Sequence, residues 1–162
     1  MKRVRVAPGT RLEDVSKQLE TKPMWFLGVF AFIFRDGRIL VVRAKGQDHW
    51  SLPGGRLEIA DQVEAAETGC NPFEVAIRRE VLEETGMNVI SVEADTAIPR
   101  LAAKWQDCAL SFFIRAVGDP KPLSEIEEIR WISDSELPEL KLFPRIREMI
   151  SFAFRARRFF GE

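Results

Sequence analysis

The sequence predicts an α/β fold in which a mixed β-sheet is covered by helices on both faces, an α/β/α sandwich. Three observations predict it. Apolar strand-like runs stand before, between and after two or three helical segments. The pair Asp36-Gly37 joins two of those runs as a hairpin. The last segment, Phe143 to Phe160, sets Ile146, Met149, Ile150, Ala153 and Phe160 on one stripe, as expected of a helix laid on a sheet.

Taken in order, Val4 and Val6 read as a short strand, and Thr10-Arg11-Leu12-Glu13 has the spacing of a helix capping box. The small helix that follows, with Leu12, Val15 and Leu19 on one side, ends before Pro23. Phe26 to Phe34 and Ile39 to Val42 form the hairpin, which leads to Trp50-Ser51-Leu52-Pro53-Gly54-Gly55. A second helix has Asn71 as N-cap, Pro72 at its first position and Gly86 as its stop. Val89 to Val92, Ala109 to Val117 and Glu128 to Ile132 are the remaining strands, with Pro120 and Pro122 in the loop before the last. We expect an extension over residues 1–23 and one domain over 24–162.

Composition narrows the function. With 24 Lys and Arg against 25 Asp and Glu, the net charge of −1 gives no global attraction to nucleic acid or to an anionic membrane. Any phosphate must be held locally. Met24 to Phe34, the longest apolar run, is about half of what a bilayer-spanning helix needs. The first residues mix charges and lack the pattern of a secretory signal. Cys70 and Cys108 resemble neither a metal knuckle nor a disulfide framework, so a reduced, cytoplasmic protein is the expectation.

The chemistry concentrates on the helix after Asn71. Glu80, Glu83 and Glu84 are related by i, i+3 and i+4, and so share about a third of the helix circumference. Like charges at this spacing repel. Arg79 reaches Glu83 one turn on, but one guanidinium cannot balance three acids. A hard divalent cation can, since Mg²⁺ takes a few carboxylate oxygens and keeps positions for water and substrate phosphate. Ile77 and Val81 form an apolar strip beside the acids, and Val75 and Leu82 another on the far side, as in a helix wedged between core surfaces. The acids alone fit a solvated surface helix better; what surrounds them tips the balance.

Arg79-Glu80-Val81-Leu82-Glu83-Glu84-Thr85-Gly86-Met87, with Gly55 and Glu58 upstream, resembles the signature of the Nudix family, G-x5-E-x7-R-E-U-x-E-E-x-G-U. The likeness extends over about residues 24 to 160 and implies a Nudix-type α/β/α sandwich. It departs in the middle. Asp61 stands six residues after Gly55 where the signature has Glu, and 17 residues rather than seven separate it from Arg79. The role of that first Glu is therefore not carried over. The insertion, roughly Gln62 to Cys70, reads as an enlarged surface loop, whose shortening over Gln62 to Thr68 should spare the fold and shift substrate preference.

The resemblance implies hydrolysis of a phosphoanhydride in a nucleoside diphosphate linked to another moiety. Glu80, Glu83 and Glu84 would ligate Mg²⁺ or Mn²⁺, with the Gly55 carbonyl as a further ligand and Arg79 holding Glu83. Glu125, Glu127, Glu128 and Asp107 join these glutamates as unranked candidates for the general base. Arg43 and Arg56 are candidates for substrate phosphate, each equally readable as a solvated or structural arginine. Trp105 is a candidate for base stacking, though a lone aromatic more often packs. His49, the one histidine, lacks partners for a metal role, and Arg155, Arg157 and Arg158 read as solvated. The expected partner is a small nucleotide, with no membrane and no strong nucleic-acid signal, and homodimerisation left open. An isoprenoid diphosphate isomerase would need a reactive Cys beside an acid, and a silent nucleotide-sensing domain would have no use for the acid cluster.

Overall fold

The computed structural model describes residues 26–102 and 107–160. The short strand and helix expected between Val4 and Leu19 lie outside them, as does Trp105. The elements are β1 (Phe26–Arg35), β2 (Arg38–Ala44), β3 (Gly54–Arg56), α1 (Ile59–Thr68), α2 (Pro72–Thr85), β4 (Asn88–Ala102), β5 (Asp107–Val117), β6 (Ile126–Ile132), a 3-10 turn (Asp134–Glu139) and α3 (Pro144–Phe160). The strands form one sheet in the order β4-β5-β1-β2-β6, with β3 also paired to β1. The β1–β5 pair is parallel and the other pairs antiparallel, so the sheet is mixed.

Alternation along the central strands sorts the side chains into two layers. On one face Phe32, Ile39, Val41 and Phe113 meet Ile146, Met149, Ile150, Ala153 and Phe154 of α3. On the other, Val29, Ala31, Ile33, Leu40, Phe112 and Ile114 meet Ala76, Ile77 and Val81 of α2. A fully buried Ile or Met contributes roughly 1.5–3 kcal/mol. Met149 and Ile150, both buried, thus seat α3 firmly. The expected sandwich is present.

The hairpin turn also matches expectation, with Asp36 at φ 48° and Gly37 at φ 77°, the two positive values that a type I′ turn requires. Its strands then part. Direct β1–β2 pairing covers only Phe34↔Ile39 and Arg35↔Arg38. The segment Ser51 to Arg56 enters the gap: Val42 and Ser51 exchange N–H···O bonds of 2.9 and 2.8 Å, Ala31 N–H donates to the Pro53 carbonyl at 2.8 Å, and β3 pairs with Gly28 to Phe30. Glycine backbone is thereby set into the middle of the sheet. Gly54, at φ 146°, has room for no side chain, because a Cβ there would lie 2.1 Å from the Val29 carbonyl oxygen.

The insertion read as a loop is a helix. Glu58 opens α1 by donating its N–H to Asp61 Oδ2 at 2.7 Å, and Gly69, left-handed at φ 73°, closes it. Asp61 and Ala65 are buried, whereas Ile59 and Val63 stay 79% and 53% exposed. Cutting out Gln62 to Thr68 would remove this helix rather than trim a loop. The loop reading is thus corrected to a helix, and the cut would take buried Ala65 with it while leaving Asp61 in the chain.

Substituting Gly54→Ala should destabilise the protein by about 3 kcal/mol or more, through strain and displacement of β1. Urea unfolding should show a lower midpoint. An unchanged midpoint would mean that β1 and the glycine segment are less tightly joined than described.

Candidate active site

Helix α2 begins where Asn71 accepts the Phe73 N–H at 2.9 Å, with Pro72 at its first position. It ends at Gly86, left-handed at φ 68°, whose N–H donates to the Leu82 carbonyl at 2.9 Å. Val75, Ala76, Ile77 and Val81 are buried against the sheet. Leu82 is not: half exposed, it leaves the second apolar strip open along that edge. Glu80 and Glu84 face inward toward β3, and Glu83 faces solvent.

All five N–H donors of Arg79 are engaged. Nε reaches Asp61 Oδ1 at 2.8 Å, and Nη2 reaches Asp61 Oδ2 and the Arg56 carbonyl, both at 3.1 Å. Nη1 reaches Glu80 Oε1 at 3.0 Å and Glu83 Oε2 at 3.1 Å. The arginine therefore does more than hold Glu83. Its main anchor is Asp61, 1% exposed, whose carboxyl the guanidinium holds well below the usual carboxylate range. The same hydrogen bonds hold the Arg79 pKa above that of an ordinary arginine. Position 61, left without a role on the sequence, proves to be the fixed point of the site.

The other acids meet the glycine segment. Gly54 N–H donates to Glu84 Oε2 at 2.9 Å, and a Cβ on Gly55 would lie 2.3 Å from Glu80 Oε1, so backbone and carboxylate occupy adjoining space. Burial raises both carboxyls. Glu80 is moved up by desolvation against the pull of Arg79. Glu84 is pushed up to about 8, chiefly by burial, with Glu80, Glu125 and Glu83 adding like charge. Glu125, in the loop before β6, is thus near enough for its charge to bear on both acids.

This donor set is all oxygen and richer in negative charge than its one guanidinium can offset, which suits a hard divalent cation. Among the described residues no three acid, His or Cys side chains converge in a ready-made metal cluster. Here each of the three clustered acids is instead turned to an internal donor, Glu80 and Glu83 to Arg79 and Glu84 to Gly54.

The remaining candidates scatter. Arg43 is held by Glu127 and Glu128, each at 2.8 Å, and by the Gln47 carbonyl at 3.1 Å. Arg56 is exposed beside Gly55. Glu128 is also bonded by Arg130 Nε at 2.7 Å. His49 stacks on Phe143 and pairs with Asp48, away from the acids of α2. Arg157, expected to be solvated, instead lies over the Phe34 ring at 4.9 Å with its Nε buried. Arg155 is exposed, as expected.

Truncation of Asp61 to Ala leaves Arg79 without its main partner and should cost about 3 kcal/mol or more, as breaking a buried ion pair does. Urea unfolding tests this, and a loss near zero would remove the anchor. A second outcome concerns pH without metal. The Glu84 carboxyl titrates near 8 in the folded state against an ordinary value of 4.5, so the unfolded chain binds fewer protons between them. Stability should fall as pH rises from about 5 to 8. The thermal midpoint of Glu84→Gln should fall less over that range, and parallel curves would contradict the assignment.

The NUDIX domain family model matches residues 24–152. A Bacillus subtilis (strain 168) protein provisionally named an 8-oxo-dGTP diphosphatase is 29% identical over 132 residues, covering 80% of each chain. A MutT-like protein of Streptomyces ambofaciens is 30% identical over 125 residues, covering 76% of this chain and 73% of its own. Among solved structures, the MutT NUDIX hydrolase of Burkholderia pseudomallei superposes with a TM-score of 0.60 at 24% identity, over 82% of this chain and 98% of its own, a likeness of fold. With the signature helix, the sandwich and a family match over most of its length, the chain belongs to the NUDIX family.

Proposed function

We propose that the chain hydrolyses a phosphoanhydride in a nucleoside diphosphate linked to another moiety, with Glu80, Glu83, Glu84 and the Gly55 carbonyl as ligands to Mg²⁺ or Mn²⁺. One observation carries this reading: three glutamates gather along one edge of α2, two of them buried, around a single guanidinium already committed to Asp61. Bound there, a divalent cation would neutralise substrate phosphate and lower the pKa of an attacking water. Arg79 positions Glu80 and Glu83, and the Gly54 N–H positions Glu84.

Ion pairing supports a choice among the candidates for the general base. Glu127 and Glu128 are consumed by Arg43, and Glu128 again by Arg130. The side chain of Asp107 lies outside the described residues. Glu125 remains, exposed, with its charge felt at both Glu80 and Glu84. We assign the proton of the attacking water to Glu125. Arg43, paired with Glu127 and Glu128, serves the scaffold, and Arg56, exposed next to Gly55, is the arginine we assign to substrate phosphate for its place beside the acids. The Bacillus relative's name makes a nucleoside triphosphate the first substrate to test.

Turnover of 8-oxo-dGTP, dGTP, nucleotide sugars and dinucleoside polyphosphates, followed by phosphate and pyrophosphate release, should require Mg²⁺ or Mn²⁺ and stop in EDTA. Glu83→Gln and Glu84→Gln should each lower kcat by about 10²-fold or more with the fold retained. Glu139→Gln, an exposed site in the 3-10 turn, should change little. Full turnover in chelator would rule out metal catalysis, and equal effects of all three substitutions would rule out this set of ligands.

A further inference from the structure

The loop that carries Glu125 is fastened to the helix it serves. Lys121 N–H donates to the Thr85 carbonyl at 2.9 Å and Leu123 N–H to the Glu84 carbonyl at 3.1 Å, taking acceptors that the end of α2 would otherwise leave open. The Leu123 side chain lies against Gly86, where a Cβ would come within 3.2 Å of it. Ser124 then adopts φ 50°, a left-handed conformation uncommon for a residue with a side chain. Something must hold the chain in that bend.

Lys45, one residue beyond β2, grips the bend twice. Its N–H donates to the Glu125 carbonyl at 2.7 Å, and its Nζ donates to the Ser124 carbonyl at 2.8 Å. The ammonium thus binds backbone, and the Glu125 carboxylate has no hydrogen-bond or ion-pair partner among the described residues. Two residues earlier, Arg43 neutralises Glu127 and Glu128. The two cations divide the acidic run: Arg43 pairs with the carboxylates of Glu127 and Glu128, and Lys45 holds the peptide that carries Glu125.

We infer that Lys45 is a positioning residue for the hydrolysis, acting through the Ser124–Glu125 peptide to direct the Glu125 carboxylate toward Glu80 and Glu84. The inference rests on the assignment of Glu125 as general base. Replacing Lys45 by Met removes only the side-chain bond, since the backbone bond to Glu125 stays.

The test is a double-mutant cycle on the full chain with Mg²⁺, using 8-oxo-dGTP or, if that is not turned over, the substrate of highest kcat/KM from the panel. Parent, Lys45→Met, Glu125→Gln, the double variant and Lys45→Arg are compared in kcat, KM and thermal midpoint. Lys45→Met should lower kcat about tenfold with KM within about twofold, should cost nothing further beside Glu125→Gln, and should be largely rescued by Lys45→Arg. The same factor in both backgrounds, an effect on KM alone, or parental kcat in Lys45→Met with a slow Glu125→Gln would overturn the inference and leave the base assignment standing. Parental kcat in Glu125→Gln would instead remove the base assignment, and the inference with it. Should Lys45→Met fail to fold, Lys45→Gln enters the same cycle with the same expectations.

Discussion

The bidentate pair between Arg79 and Asp61 is the constraint on which the rest of the site depends. An arginine among three glutamates has several carboxylates to choose from. What settles its orientation is an acid with almost no exposure to solvent and a second donor, the Glu58 N–H, holding it in place. Once Nε and one edge of Nη2 are committed to Asp61, the planar guanidinium has little freedom, and Nη1 must point at Glu80 and Glu83. The acid cluster is thereby ordered by a group outside it. Helix α1 is part of this arrangement, since it supplies Asp61 and ties its own start to the end of β3.

The sheet makes the complementary contribution. Because β1 and β2 separate after two residue pairs, a third piece of chain runs between them, and its glycines bring backbone rather than side chains to α2. That is why Glu84 can find a main-chain N–H and Glu80 can lie flat against Gly55. A side chain at Gly55 would press on Glu80 of the helix, and one at Gly54 would collide with the β1 backbone. The hydrophobic layer beneath α2 and this polar seam are two aspects of one packing arrangement, in which Ile77 and Val81 fix the height of the helix and the glycines set what it meets.

Much of this is legible in the sequence. The capped ends of α2, the spacing of Glu80, Glu83 and Glu84, the Asp36-Gly37 turn and the stripe on α3 are local signals, and each appears in the fold. Helix α1 escapes a reading by apolar pattern, although Glu58 and Asp61 bracket its first turn and Gly69 follows its last. That pattern misleads: Ile59 and Val63 point to solvent, and the buried contacts come from a small alanine and an aspartate. Arg43 and Glu125 stand out in the sequence as candidates, but their roles depend on distant partners. Glu127 lies 84 residues from Arg43, and the acids that feel Glu125 come near it only in the assembled site. Charge spacing along the chain could not show that Arg43 is already paired.

The separation of these contacts along the chain bears on how the site comes together. Gly54 meets Glu84 across 30 residues and Asp61 meets Arg79 across 18, whereas Lys45 reaches Ser124 across 79. The entropy of closing a loop grows with its length, and a surface loop held by a few hydrogen bonds opens at lower free energy than a buried helix. The acidic edge of α2 is thus built from one nearly continuous stretch of chain, and the loop bearing Glu125 is joined to it by contacts far more distant in sequence. Were that loop to open alone, Glu80, Glu83 and Glu84 would stay in place while Glu125 departed. With the roles proposed for these residues, local opening of the native state would uncouple the groups that hold the cation from the group that takes up the proton, and amides near Ser124 would exchange with solvent sooner than those of α2.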